Sequence, residues 1–129
     1  MMKIMIAILS LVIATTTYAA DDPTIKDQLR LDIQSAMKIH ITENQIKGSY
    51  VYFDTKTGKL LKLQLEELHS GIVSKGDFYV SCADFRSSQG DLYDIDFLVS
   101  GEREHLRVYQ AIIHKSPEGK RKYHIEKIK

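Results

Sequence analysis

The chain has 129 residues, with 18 basic and 17 acidic side chains, 43% hydrophobic residues and a single cysteine. Such a length supports one modest core and excludes two full domains. One cysteine excludes an intramolecular disulfide, and a near-neutral balance names no partner through bulk charge.

In chain order, residues 1–3 give a short positive start through Lys3. Residues 4–14 form an apolar core broken only by Ser10, and residues 15–20 are small apart from Tyr18. This layout predicts a secretory signal peptide over 1–20, cut after Ala19 or Ala20, and a single α+β domain over 21–129. The apolar run is too short to cross a bilayer comfortably, so no membrane span is expected after cleavage. The expected location is periplasmic or secreted, where nucleic acid is not an expected partner.

Asp22 followed by Pro23 reads as a helix opening, the aspartate capping free amides and the proline suiting the first turn. Ile25, Leu29, Ile33, Ala36 and Met37 recur at spacings of three and four, the stripe of an amphipathic helix. From Gly48 the period becomes two. Strands are predicted over 50–53 and 60–68, with Leu61, Leu63 and Leu65 sharing one side, followed by a glycine-containing loop over 69–76.

A hairpin follows, over 77–86 and 91–100 with a turn over 87–90. With Arg86 opposite Asp91, Cys82 lies opposite Ile95, and Phe78, Val80, Cys82, Tyr93, Ile95, Phe97 and Val99 share a core face. Leu106, Val108 and Ile112 belong to a further strand, and Pro117 and Gly119 break the chain before a short segment over 123–125. The expected architecture is α+β: one N-terminal helix packed across a curved antiparallel sheet of four to five strands, the arrangement of cystatin-like folds.

Phe85, the run Tyr93-Asp94-Ile95-Asp96-Phe97 and Ile113-His114-Lys115 resemble small exported bacterial domains of unknown function. The resemblance implies a fold and no activity. The Gln-x-Val-x-Gly hairpin of true cystatin inhibitors is missing, so protease inhibition is not implied.

In the same register Tyr79, Phe85, Asp94, Asp96, Arg107 and Tyr109 share the opposite face. Tyrosine and arginine suit the centre of an interaction surface, so these six are the candidate binding residues. Their expected partner is a protein, a small-molecule ligand or a second copy of the chain; covering by the termini or the loop is the alternative. Asp94 and Asp96, two apart on a strand, point the same way and can share a proton, bind a hard cation or act as acid and base. Pairing with Arg107 is the structural alternative.

Cys82, between Phe78 and Phe85, reads as a small buried hydrophobe. None of His40, His69, His105, His114 and His124 belongs to a zinc or metalloprotease spacing, and there is no nucleophile elbow, phosphate loop or dinucleotide fingerprint. No catalytic residue, metal or cofactor is therefore assigned. The expected function is an exported binding or protein-interaction domain, with a small acid-base hydrolase or isomerase built on the carboxylate pair as the alternative.

Overall fold

The computed structural model describes residues 20–123. The predicted signal segment, apart from Ala20, and most of the predicted final segment over 123–125 lie outside the described residues. The helix α1 (Asp27–Glu43) is followed by β1 (Gln45–Ile46), β2 (Ser49–Asp54), β3 (Lys59–Lys75), β4 (Phe78–Ser87), β5 (Leu92–Ser100), β6 (Arg107–Ser116) and β7 (Gly119–Lys120). Each strand pairs antiparallel with the next, in the spatial order of the sequence. No helix among the described residues is long and apolar enough to cross a membrane.

The expected cystatin-like sheet of four to five strands is thus corrected to a seven-stranded meander. Two of the extra strands, β1 and β7, have two residues each, too short to show an alternating pattern. The first is closed by a two-residue turn in which Lys47 and Gly48 both take positive φ, the turn that matches strand twist. The loop expected over 69–76 is also corrected, because β3 continues to Lys75 through two register shifts.

The helix starts later than the sequence suggests. Asp22 caps a separate turn, its Oδ1 accepting from the Thr24 amide at 2.9 Å and the Thr24 hydroxyl at 2.7 Å. Lys26 occupies the helix N-cap position without a side-chain cap. Arg30 then ties this lead-in to β3: it pairs with Asp21 at 2.7 Å and donates to the Asp22 carbonyl at 2.7 Å and the Ser70 carbonyl at 3.2 Å. Asp22 and Asp21 in turn engage the backbone of Ile72, so this part of the β3 edge is covered.

Ile33, Ala36, Met37 and Ile41 form the buried helical stripe against β5 and β6. The sheet curls around this core until opposite strands meet across its inner face. Tyr52 on β2 donates its hydroxyl to the Ala111 carbonyl on β6 at 3.1 Å. Tyr50 stacks on Phe85 with ring centroids 5.1 Å apart, and Phe97 lies 6.1 Å from Phe85. Ala83, Phe85, Ile95, Phe97, Val99, Ala111 and Ile113 complete the buried side.

The turn between β4 and β5 decides which residues enter that core. Ser87 donates its amide to the Asp91 carbonyl at 2.9 Å, enclosing a three-residue loop whose last member, Gly90, has φ 84°. Arg86 therefore faces Leu92, and Cys82 faces Asp96. The expected pairing of Arg86 with Asp91 is one residue out, which reverses the faces of β4. Phe85 turns into the core, and Cys82 turns away from it.

At the far side of the core Arg121 grips Asp54 with two hydrogen bonds, 2.6 and 2.8 Å long, with side chains 11% and 4% exposed. Thr57 and the Lys56 amide also donate to Asp54. The Arg121 contact foremost holds the Asp54 carboxyl at about 2, below its ordinary 3.8. Because the folded-state value is depressed, its stabilisation is complete above the ordinary value and is lost as pH falls through about 2. Asp54→Ala is expected to cost about 3 kcal/mol in urea unfolding at pH 7. The wild type should lose about 2 kcal/mol more than the variant between pH 5 and pH 1. Equal stabilities at pH 7 would show that the pair does not hold the curl.

Candidate functional site

Side chains that alternate away from the helix form the other face of the sheet, and the β4–β5 register determines its centre. Starting from the hydrogen-bonded pair Ser87 and Asp91, alternate pairs are non-hydrogen-bonded, so Asp84 with Asp94 and Cys82 with Asp96 are the close pairs of the ladder. Two carboxylates directly opposite each other repel. Asp96, beside them on β5, is buried.

The β3 strand supplies the counterpart. Leu68 pairs with Ala83 and Ile72 with Ser81, so His69, Ser70 and Gly71 stand opposite Cys82 alone. This three-for-one bulge directs the His69 ring over the acidic pair. Its Nε2 lies 3.0 Å from Asp84 Oδ1 and its Nδ1 lies 2.7 Å from Cys82 Sγ. From β6, His114 Nδ1 lies 3.2 Å from Asp96 Oδ2. Tyr123 packs edge-on to the His114 ring at 5.9 Å.

The electrostatics follow from burial and crowding. Burial, then the charges of Asp94, Asp96 and Asp84, push the Cys82 thiol far above its ordinary range. Burial raises the Asp94 carboxyl and the Asp84 charge adds to it, against the pull of His69 and His114. Burial disfavours charge on His69, but its hydrogen bond to Asp84 and the charges of Asp84, Asp94 and Glu67 prevail and raise it. Asp94 Oδ1 is buried without a hydrogen-bond partner. An unsatisfied buried polar atom costs about 1–3 kcal/mol.

Two kinds of chemistry use such a set. A thiol, an imidazole and a carboxylate in series resemble an activated nucleophile. Activation requires a depressed thiol pKa, and burial followed by the three neighbouring carboxylates produces the reverse. Among the described residues, cavities are lined around Gln28 and Arg103, around Lys62 and Gln89, and around Leu29 and Tyr79, away from this cluster. Cation binding is the other chemistry, and here the crowding of acceptors is an advantage. Ligand atoms of His69, Cys82 and Asp94 all lie within 4.8 Å of one another.

The six residues proposed from sequence separate. Asp94 and Asp96 share the helix-free face, as expected. Phe85 is fully buried among Tyr50 and Phe97 on the opposite side, and Tyr79 packs against the same core. Arg107 pairs with Ser100 at the far end of β5 from Asp94. Tyr109, 65% exposed, falls within a register shift between β5 and β6. The common aromatic face is therefore corrected, and the one-residue change of register is its cause for Tyr79 and Phe85. Cys82, expected as a small buried hydrophobe, is half-buried against His69 and opposite Asp96, on the face away from Phe85. Sequence reasoning named His69 and Cys82 without joining them and did not single out Asp84, because their meeting depends on the bulge.

Compared with protein-family models, curated proteins and solved structures, the chain matches none.

Crowded, desolvated carboxylates predict a stability cost at this site. Since the folded-state value of Asp94 is raised, its contribution favours folding as pH falls through that value and is lost as pH rises. Asp94→Asn is expected to stabilise the fold at pH 7 by about 1 kcal/mol in urea unfolding and to remove this part of the pH dependence. A destabilised variant at pH 7 would mean that the Asp94 charge is held by compensating interactions.

Proposed function

We propose that the protein is a small exported binding module that takes a cationic ligand on the helix-free face of its sheet, at the centre of β3, β4, β5 and β6. The observation that carries this reading is Asp94 Oδ1, buried without a partner and set opposite Asp84. A protein surface can avoid that arrangement at no cost by moving one carboxylate. A cation supplies the missing partner and relieves the repulsion together.

Export rests on residues 1–20, with their positive start, apolar core and small-residue end. Material recovered from the exported fraction is expected to begin at Ala20 or Asp21. A binding role is favoured over the acid-base enzyme because the Asp94 carboxylate converges with an imidazole and a thiol as ligand atoms within 4.8 Å of one another. The partner surface is accordingly acidic and polar, where the sequence suggested an aromatic one.

Titration calorimetry on the processed chain tests the reading, using calcium, magnesium, zinc, spermidine and guanidinium as probes. At least one is expected to bind, with affinity falling tenfold or more in Asp94→Asn. No heat with any of the five would overturn the proposal, as would binding that Asp94→Asn leaves unchanged.

A further inference from the structure

Resting on that reading, we infer that the ligand is a borderline-soft divalent transition-metal ion of the zinc class, held by His69 Nδ1, Cys82 Sγ and an Asp94 carboxylate oxygen. Three observations converge on it. The first is the donor set: imidazole nitrogen, thiolate sulfur and carboxylate oxygen are the three ligand types that zinc takes, and all three fall within 4.8 Å of one another. Around a tetrahedral ion, neighbouring nitrogen and sulfur ligands stand about 3.5 Å apart. The present 2.7 Å between Nδ1 and Sγ therefore needs a small opening, which the half-buried His69 on its bulge can provide.

The second is the orientation of His69. Its Nε2 faces Asp84 Oδ1 at 3.0 Å. When the ring holds a single proton, that proton stays on Nε2 against the carboxylate, and the Nδ1 lone pair is turned toward Cys82. A ligating histidine with its other nitrogen bonded to a carboxylate is the usual second layer of a zinc site. Asp84 is therefore a positioning residue, distinct from the three ligands.

The third is the Asp94 Oδ1 atom. It is a buried acceptor with no donor, and a hard-to-satisfy oxygen of this kind is completed by a metal bond. Calcium or magnesium would require many more oxygens and would leave the sulfur unused. The neighbouring pair of Asp96 and His114 adjoins the site without entering the ligand set.

Coordination balances simply. The metal forms bonds to nitrogen, sulfur and oxygen, the Cys82 S–H bond breaks, and its proton passes to water. No oxidation change occurs. Three protein ligands leave a fourth position for water or an exogenous donor, the arrangement of an open and exchangeable site.

Cobalt(II) substitution provides the test, because a cobalt–thiolate bond gives a near-ultraviolet charge-transfer band that oxygen and nitrogen ligands do not. The processed chain is titrated with cobalt and then zinc, and folding of each variant is checked by circular dichroism. We expect one cobalt per chain, the thiolate band, intense visible bands of a tetrahedral ion, and displacement by one equivalent of zinc. Cys82→Ser should abolish the band, while Asp84→Asn should keep it and weaken affinity about 10- to 100-fold. Cobalt binding without the thiolate band, or a band that survives in Cys82→Ser, would overturn the assignment. If another cation still binds in an Asp94-dependent way, only the metal assignment falls; if nothing binds, the binding reading falls with it.

Discussion

The pairing of β4 with β5 is the constraint on which the rest of the structure depends. A three-residue loop ending in left-handed Gly90 places Arg86 opposite Leu92, and every later pair follows from it. Ala83 and Phe85 then join Ile95, Phe97 and Val99 beneath the helix, while Cys82 and Asp84 join Asp94 and Asp96 on the opposite face. With side chains alternating along each strand, a shift of one residue would send Phe85 to solvent and Cys82 into the core. Core and candidate site are thus two outcomes of one turn.

The two faces of the sheet carry opposite energetic signs. The inner face gains from burial of Phe85, Phe97, Ile33 and Met37, and the curl that closes over them is held by Tyr52 on Ala111 and by Arg121 on Asp54. The outer face concentrates three carboxylates around one thiol and leaves an Asp94 oxygen unsatisfied. Local arrangements that oppose folding persist where a function requires them. The β3 bulge belongs to the same pattern, since it interrupts the ladder to bring His69 over Cys82.

Much of the fold was legible in the sequence. The apolar spacing of Ile33, Ala36 and Met37 marks the helix face, and alternation marks the strands of β4 and β5 and the shared side of Asp94 and Asp96. What escaped were features without a local pattern. Asp22 and Pro23 have the composition of a helix start but build a turn of their own, because Asp22 bonds to Thr24 and the backbone of Ile72. Loops of three and four residues in this hairpin differ only in whether Ser87 pairs, and the residue types suit either. His69, Ser70 and Gly71 look like a connection because three residues facing one break the alternation. Tyr52 with Ala111 and Asp54 with Arg121 join segments far apart in sequence, where periodicity carries no information.

Cross-strand NMR contacts between β4 and β5 test the central claim most directly, because close Hα–Hα pairs arise only at non-hydrogen-bonded positions and report register residue by residue. The structure predicts Hα–Hα contacts joining Cys82 to Asp96 and Asp84 to Asp94. Contacts joining Ala83 to Asp94 and Ser81 to Asp96 would contradict it, because that register sets Cys82 opposite Ile95, returning the thiol to the core face and dispersing the site.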